Sequence, residues 1–169
     1  MKVSILPVVW NNKATIKNAM DSVLSQDYND IEYIVIDGGS GDGTIDVIDR
    51  YRNKISIFLS EPDKGIYDAL NKGIGLASGE VVAILHSDDQ FCNSRVVSNM
   101  MEKIEQTKVE FCFSNMVLVD EPSGKILRYY MASYFKIWMF KIGWMPPHPT
   151  CFIKRSLFDE FGMYSTDYK

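Results

Sequence analysis

The sequence is poor in cysteine, in long apolar runs and in clustered positive charge, and each shortage argues against a class of protein. Its three cysteines, Cys92, Cys112 and Cys151, are odd in number and widely spaced. No pair has the short spacing of a zinc site, and a disulfide framework does not suit a chain of this length. Reduced, buried thiols fit a cytoplasmic protein. No stretch approaches the ~18 consecutive apolar residues of a membrane-spanning helix. The opening apolar run is broken by Asn11-Asn12 too soon to be a signal peptide. Lys and Arg number 18 against 22 Asp and Glu, a net charge of −4 without a basic block. That argues against a nucleic-acid partner. Internal repeats, low-complexity tracts and linkers are lacking as well.

What remains is an ordinary globular composition, 46% apolar and 24% charged over 169 residues, and the length points to one domain. Apolar runs rich in β-branched residues predict buried strands at 3–9, 33–36, 55–59 and 81–85. Between them, apolar residues at helical spacing predict helices over 13–26, with Asn12 as candidate cap, 44–52 and 65–77. This alternation implies βαβ units and a mainly parallel sheet flanked by helices, in which ligands bind at the carboxyl ends of the strands. Beyond a helix at 93–106 the pattern is less regular. Strands are expected at 111–119 and 126–130 around a Glu121-Pro122-Ser123-Gly124 turn. A rigid Pro-rich loop over 145–150 precedes a strand at 151–154 and a helix at 155–161. The chain divides into halves at 1–106 and 107–169.

Three predicted strand ends carry carboxylates: Asp37, then Glu61 and Asp63, then Asp88 and Asp89. Five carboxylates on one sheet edge repel one another unless a cation or ligand offsets the charge. Magnesium-type sites use one or two carboxylates plus substrate phosphates. The glycine-rich stretch 38–43 lacks the Gly-Lys-Ser/Thr ending of a phosphate loop and the third glycine of the dinucleotide fingerprint. It reads as a tight strand-to-helix turn and counts against a nicotinamide oxidoreductase. His148, between Pro147 and Pro149, is either held at a set angle for a task or part of a stiff entry into the next strand. In 134–145, Phe135, Trp138, Met139 and Ile142 share a helical face. That face suits core packing or an acceptor side; alternatively it docks peripherally on a membrane, with Lys136 and Lys141 near headgroups.

The succession Ser4-Ile5 through Asn11, Asp37-Gly38-Gly39-Ser40 with Asp42-Gly43-Thr44, the block from Glu61 to Gly73, Ser87-Asp88-Asp89 and Pro147-His148-Pro149-Thr150 resembles the family 2 glycosyltransferases of the GT-A fold. The resemblance covers the whole chain. It implies a Rossmann-like nucleotide-sugar-binding domain in which Pro7, Val9, Trp10 and Asp37 hold the base and ribose of a donor, usually a UDP-sugar. Asp68 and Lys72 lie near the donor, with Ser87 and Asp88 also on the donor side. Asp88 and Asp89 match the acidic motif that reaches Mn²⁺ or Mg²⁺, and His148 matches a loop position near the diphosphate or acceptor. Trp10 stands where Tyr is commoner, and Pro7 where a small or polar residue is usual. The implied reaction is inverting transfer to a saccharide or lipid-linked acceptor in cell-surface polysaccharide synthesis, at the cytoplasmic side and in places at the inner face of the membrane. The family's general base follows a segment like Phe158-Asp159-Glu160-Phe161-Gly162. It is therefore expected beyond Lys169, with Asp167 as a lesser candidate and a truncated chain implied. The alternative is a nucleotide-sugar-binding module that lacks the base.

Overall fold

The computed structural model describes residues 1–121 and 123–167; Pro122 of the expected turn, Tyr168 and Lys169 lie outside the described residues. The first half alternates strand and helix as its apolar periodicity requires: β1 Val3–Val9, α1 Ile16–Leu24, β2 Ile31–Asp37, α2 Thr44–Asp49, β3 Ile57–Ser60, α3 Ile66–Leu76, β4 Val81–His86 and α4 Val96–Thr107. The second half adds β5 Phe111–Cys112, β6 Met116–Asp120, β7 Lys125–Tyr130, β8 Phe152–Lys154 and α5 Arg155–Phe161.

Six strands form one sheet in the order β3-β2-β1-β4-β8-β5. The first four are mutually parallel where they pair, while β8 runs antiparallel to both β4 and β5. Strands from beyond residue 106 thus complete the sheet begun by the first half. Successive strand residues face opposite sides. Val3, Ile5, Val35, Ala83 and Leu85 pack under α1, α2 and α4. Leu6, Val8, Ile34, Ile36 and Ile84 pack under α3 and α5. Both faces are covered, so the strands read as continuous apolar runs rather than alternating ones. Each fully buried Leu or Ile contributes roughly 1.5–3 kcal/mol.

At the amino ends of the strands the sheet is fastened by Glu32, only 6% exposed. Its carboxylate accepts hydrogen bonds from Ser4 Oγ (2.5 Å), Ser78 Oγ (2.5 Å), the Ser78 N–H (2.8 Å) and Lys2 Nζ (2.9 Å). Burial alone would raise its pKa, but these donors outweigh burial and hold it at about 2.

Three expectations need correction. Asn12 does not cap α1: the helix starts at Ile16 after Thr15, whose hydroxyl instead donates to the Ser87 carbonyl at 2.7 Å. The Asn12 side chain is engaged elsewhere, donating to Ser87 Oγ at 2.9 Å. The expected strand over 111–119 is two strands: β5 joins the main sheet, whereas β6 pairs with β7 in a separate ribbon. Over 134–145 there is no α-helical face, only 3-10 turns at Ala132–Tyr134 and Ile137–Ile142. Phe135 explains this, because it packs on Phe113 (5.2 Å), Phe140 (5.2 Å) and Trp144 (5.0 Å) between ring centroids. Phe135 and Phe140 do not fall on one stripe of an α-helix, where contacts recur at i+3 and i+4. Among the described residues no helix is long and apolar enough to cross a membrane.

Candidate functional site

The strand order reverses between β1 and β4, and an open parallel sheet forms a crevice at the carboxyl ends of such a pair. A cavity of about 400 Å³ lies there. Val8, Val9 and Trp10 line it from the end of β1, and His86, Ser87 and Asp88 from the end of β4. Asp63, Gly65, Ile66 and Ala69 close the side nearest α3. The indole of Trp10 is 67% exposed, which leaves a flat aromatic face open for stacking on a base.

The glycine-rich stretch is a latched turn. Asp37 is fully buried, and its Oδ2 accepts from the N–H groups of Gly39 (3.1 Å) and Ser40 (3.0 Å) and from Ser60 Oγ (2.6 Å). The Gly41 N–H donates to Asn11 Oδ1 at 2.8 Å. Asp42 closes the turn by accepting from the Thr44 and Lys13 N–H groups. These backbone donors are thus taken by side chains rather than open to a phosphate. Gly38 leaves room for its neighbours: a β-carbon there would displace the Asp63 carboxylate and approach Trp10 Cβ to 3.4 Å.

At the end of β4, Asp88 is exposed and Asp89 half-buried. Burial, then the charge of Asp88, raises the Asp89 carboxyl from its ordinary 3.8 to about 6. His86 and His148 face each other with ring centroids 5.9 Å apart. Burial lowers the pKa of both, and for His148 the neighbouring His86 lowers it further. Tyr164 fixes the second ring, its hydroxyl lying 3.0 Å from His148 Nε2. Buried side-chain atoms without a hydrogen-bond partner include Asp37 Oδ1 and His86 Nδ1, one at the end of β2 and one at the end of β4.

Of the residues singled out from sequence, Val9, Trp10, Ser87 and Asp88 line the crevice. Asp89 follows Asp88 directly, and His148 reaches the crevice only through His86. Pro7 is buried in β1 opposite Leu85. Asp68 and Lys72 do not line the crevice. They tie down the β3–α3 loop: Asp68 accepts from the Lys64 N–H (3.0 Å), and Lys72 Nζ meets Glu61 (2.9 Å) and the Pro62 carbonyl (3.0 Å). Asp167 is exposed and turned onto Ser165. His86 and Tyr164 also belong to the site, beyond the residues expected from sequence. A histidine interrupting an apolar strand just before Ser87-Asp88-Asp89 was a usable signal for the first. Nothing in sequence brings Tyr164 to His148.

Among the described residues no three His, Cys, Asp or Glu side chains converge as a ready-made metal site, so Asp88, Asp89 and His148 are not a preassembled ligand set. Asp88 and Asp89 alone nevertheless suit a hard cation, whose sites commonly take one or two carboxylates and leave the remaining positions to substrate phosphates.

Comparison with known proteins follows the same lines. An uncharacterized glycosyltransferase of Mycobacterium tuberculosis is 32% identical over 98% of this chain and 63% of its own length. An Escherichia coli UDP-Glc:alpha-D-GlcNAc-diphosphoundecaprenol beta-1,3-glucosyltransferase is 36% identical over 67% of this chain and 45% of its own length. The chain thus spans less than two thirds of either relative. Two solved structures share the fold. Staphylococcus aureus TarS 1–349 in complex with UDP-GlcNAc superposes with a TM-score of 0.80 at 23% identity, over 97% of this chain and 48% of that one. A Pyrobaculum calidifontis mannosyltransferase in complex with GDP-Man and Mn²⁺ gives 0.75 at 19%, over 98% and 48%. The mainly parallel, helix-flanked sheet is the GT-A arrangement. The model of glycosyl transferase family 2 matches residues 4–162, and this chain belongs to that family.

Proposed function

We propose that this chain is the donor-binding part of a glycosyltransferase that moves a sugar, with inversion, from a UDP-linked donor to a saccharide or lipid-linked acceptor. One observation carries the reading. The crevice at the β1–β4 switch point sets an exposed indole, Trp10, and a strand-end carboxylate, Asp88, on a single cavity. A nucleoside diphosphate asks for both, a flat surface for its base and a cation site for its phosphates. The names of the relatives support the donor and acceptor classes: UDP-glucose and a diphosphoundecaprenol-linked sugar for the E. coli enzyme, UDP-GlcNAc for TarS. The complex of the Pyrobaculum protein with GDP-Man and Mn²⁺ supports the metal.

In this reading Trp10 stacks on the base, and Asp37, buried behind the crevice, supports that end of the site by latching the 38–43 turn. Asp88 and Asp89 hold Mn²⁺ or Mg²⁺, which when bound neutralises charge on the departing diphosphate. The acceptor oxygen forms the new bond to the anomeric carbon as the carbon–oxygen bond to the diphosphate breaks. The acceptor proton passes to a general base. Asp167 is engaged with Ser165 outside the crevice, and that observation favours a second reading in which these residues bind donor without transferring it. Turnover by the 169-residue chain would exclude that second reading. The occupied N–H groups of the 38–43 turn argue against a nicotinamide cofactor, and NADH fluorescence titration is expected to show no binding.

Thermal melting tests the main reading. UDP is expected to raise the melting temperature only when Mn²⁺ or Mg²⁺ is present, with about 2.7 kcal/mol of stabilisation at a hundredfold excess over Kd. Asp89→Ala abolishes the shift. A shift of equal size without metal, or none with any nucleotide, would refute the reading.

A further inference from the structure

We propose that the aromatic segment from Tyr134 to Met145 docks the protein on an anionic lipid surface. The first support is exposure. Ile137 is 81% and Ile142 72% exposed, and Tyr134, Trp138 and Met145 are more than half exposed. Single exposed apolar residues need no explanation, but a contiguous group marks an interaction site. The group is held in place from beneath, because Phe135 and Trp144 pack on Phe113.

The second support is charge. From Lys125 to Lys141 there is no Asp or Glu, while four cations occur: Lys125, Arg128, Lys136 and Lys141. The chain's net −4 is the balance of +4 in this stretch and −8 elsewhere. The cations are spaced singly, and Lys136 and Lys141, both exposed, alternate with the exposed apolar side chains. An acidic protein surface would answer the lysines but not Ile137 and Ile142. An anionic bilayer answers both, with phosphates at the surface and hydrocarbon beneath. Tyr and Trp favour that interface, and basic residues beside buried apolar ones strengthen such binding.

The third support is position. The segment runs directly into the loop bearing His148, whose ring lies 5.9 Å from that of His86 in the crevice wall. Docking through Ile137, Trp138 and Ile142 brings the crevice to the lipid surface, where a lipid-linked acceptor would be presented. That use rests on the proposed function; the docking itself does not.

The test is co-sedimentation of the full chain with phosphatidylcholine vesicles, with and without phosphatidylglycerol, at low and high salt. The wild type is expected to bind the anionic vesicles and to bind less at high salt. Lys136→Gln with Lys141→Gln weakens binding about 25-fold, from about fivefold per basic residue at such a surface. Trp138→Ser with Ile142→Ser weakens it at least about tenfold. All four positions are exposed, so the variants keep the wild-type melting temperature and the nucleotide-dependent shift. A donor-binding failure is thereby read separately from a docking failure. Absence of wild-type binding to anionic vesicles overturns the proposal, as does undiminished binding by either variant. Self-association of the wild type that Trp138→Ser with Ile142→Ser abolishes would assign the patch to a protein contact and overturn it as well.

Discussion

Replacing Asp89 with Asn is expected to make the ligand-free protein more stable while removing its metal-dependent response to nucleotide. In the folded chain Asp89 ionises near 6 rather than 3.8, because burial and the charge of Asp88 both disfavour the carboxylate. The unfolded chain releases the same proton at the ordinary value. Between 3.8 and about 6 the folded state therefore binds the proton more tightly, and stability falls as pH rises through that window. Above it the loss is complete. At 1.36 kcal/mol per decade the gap amounts to about 3 kcal/mol. The carboxylate keeps contact with water, and screening reduces this to roughly 1.5 kcal/mol. Asparagine carries no charge at any pH. In EDTA near pH 7, Asp89→Asn should thus melt roughly 3–6 °C above wild type. The difference should vanish below the ordinary carboxyl pKa, where wild-type Asp89 is protonated in both states. Adding UDP with Mn²⁺ should stabilise wild type alone and reduce or reverse the order. Thermal or urea denaturation at two pH values measures all of this. A variant no more stable than wild type near neutrality, or equally advantaged in acid, would refute the argument.

Three further outcomes are expected. Glu32→Gln loses on the order of 3 kcal/mol at neutral pH, because four donors hold this carboxyl at about 2 rather than 4.5. The wild-type contribution is whole above 4.5 and disappears as pH falls through about 2, so urea denaturation should show the two proteins converging in acid. Gly38→Ala forces its methyl against the Asp63 carboxylate and Trp10, and calorimetric titration should show weaker UDP binding with little change in unfolding. Tyr164→Phe removes the hydroxyl at His148 Nε2 and costs about 1 kcal/mol; a shift of the His148 ring resonances should report the freed imidazole.

The sheet was legible in sequence because both of its faces are covered. Val3–Val9, Ser4 apart, and Val81–His86 up to Leu85 are apolar, so strand identity did not depend on guessing a register. The strand-end carboxylates followed from that, since parallel strands bring their carboxyl ends to one edge. Contacts between distant loops were less legible. Asp68 and Lys72 are one helical turn apart, which predicts that they interact. Periodicity does not reveal that Glu61 and the Pro62 carbonyl would draw Lys72 away from the crevice. Tyr164 and His148 meet because β8 and α5 fold back beside β4, a long-range event with no local signal. The 134–145 segment was misread because its aromatic side chains follow the demands of Phe113 rather than those of a helix.

The pairing of β5 with β8 has a consequence for how such a molecule changes over time. Cys112 and Phe152 are register partners, so the chain leaves the sheet and returns to it at adjoining points. Everything between them, the ribbon, the aromatic segment and the His148 loop, is an excursion clamped at its base. Doubling such a loop costs only about 0.6 kcal/mol in closure entropy, and neither lengthening nor exchanging it would re-register a core strand. The ribbon and the aromatic segment can acquire new surfaces without re-registering the strands that carry the crevice, so long as the His148 loop stays against His86.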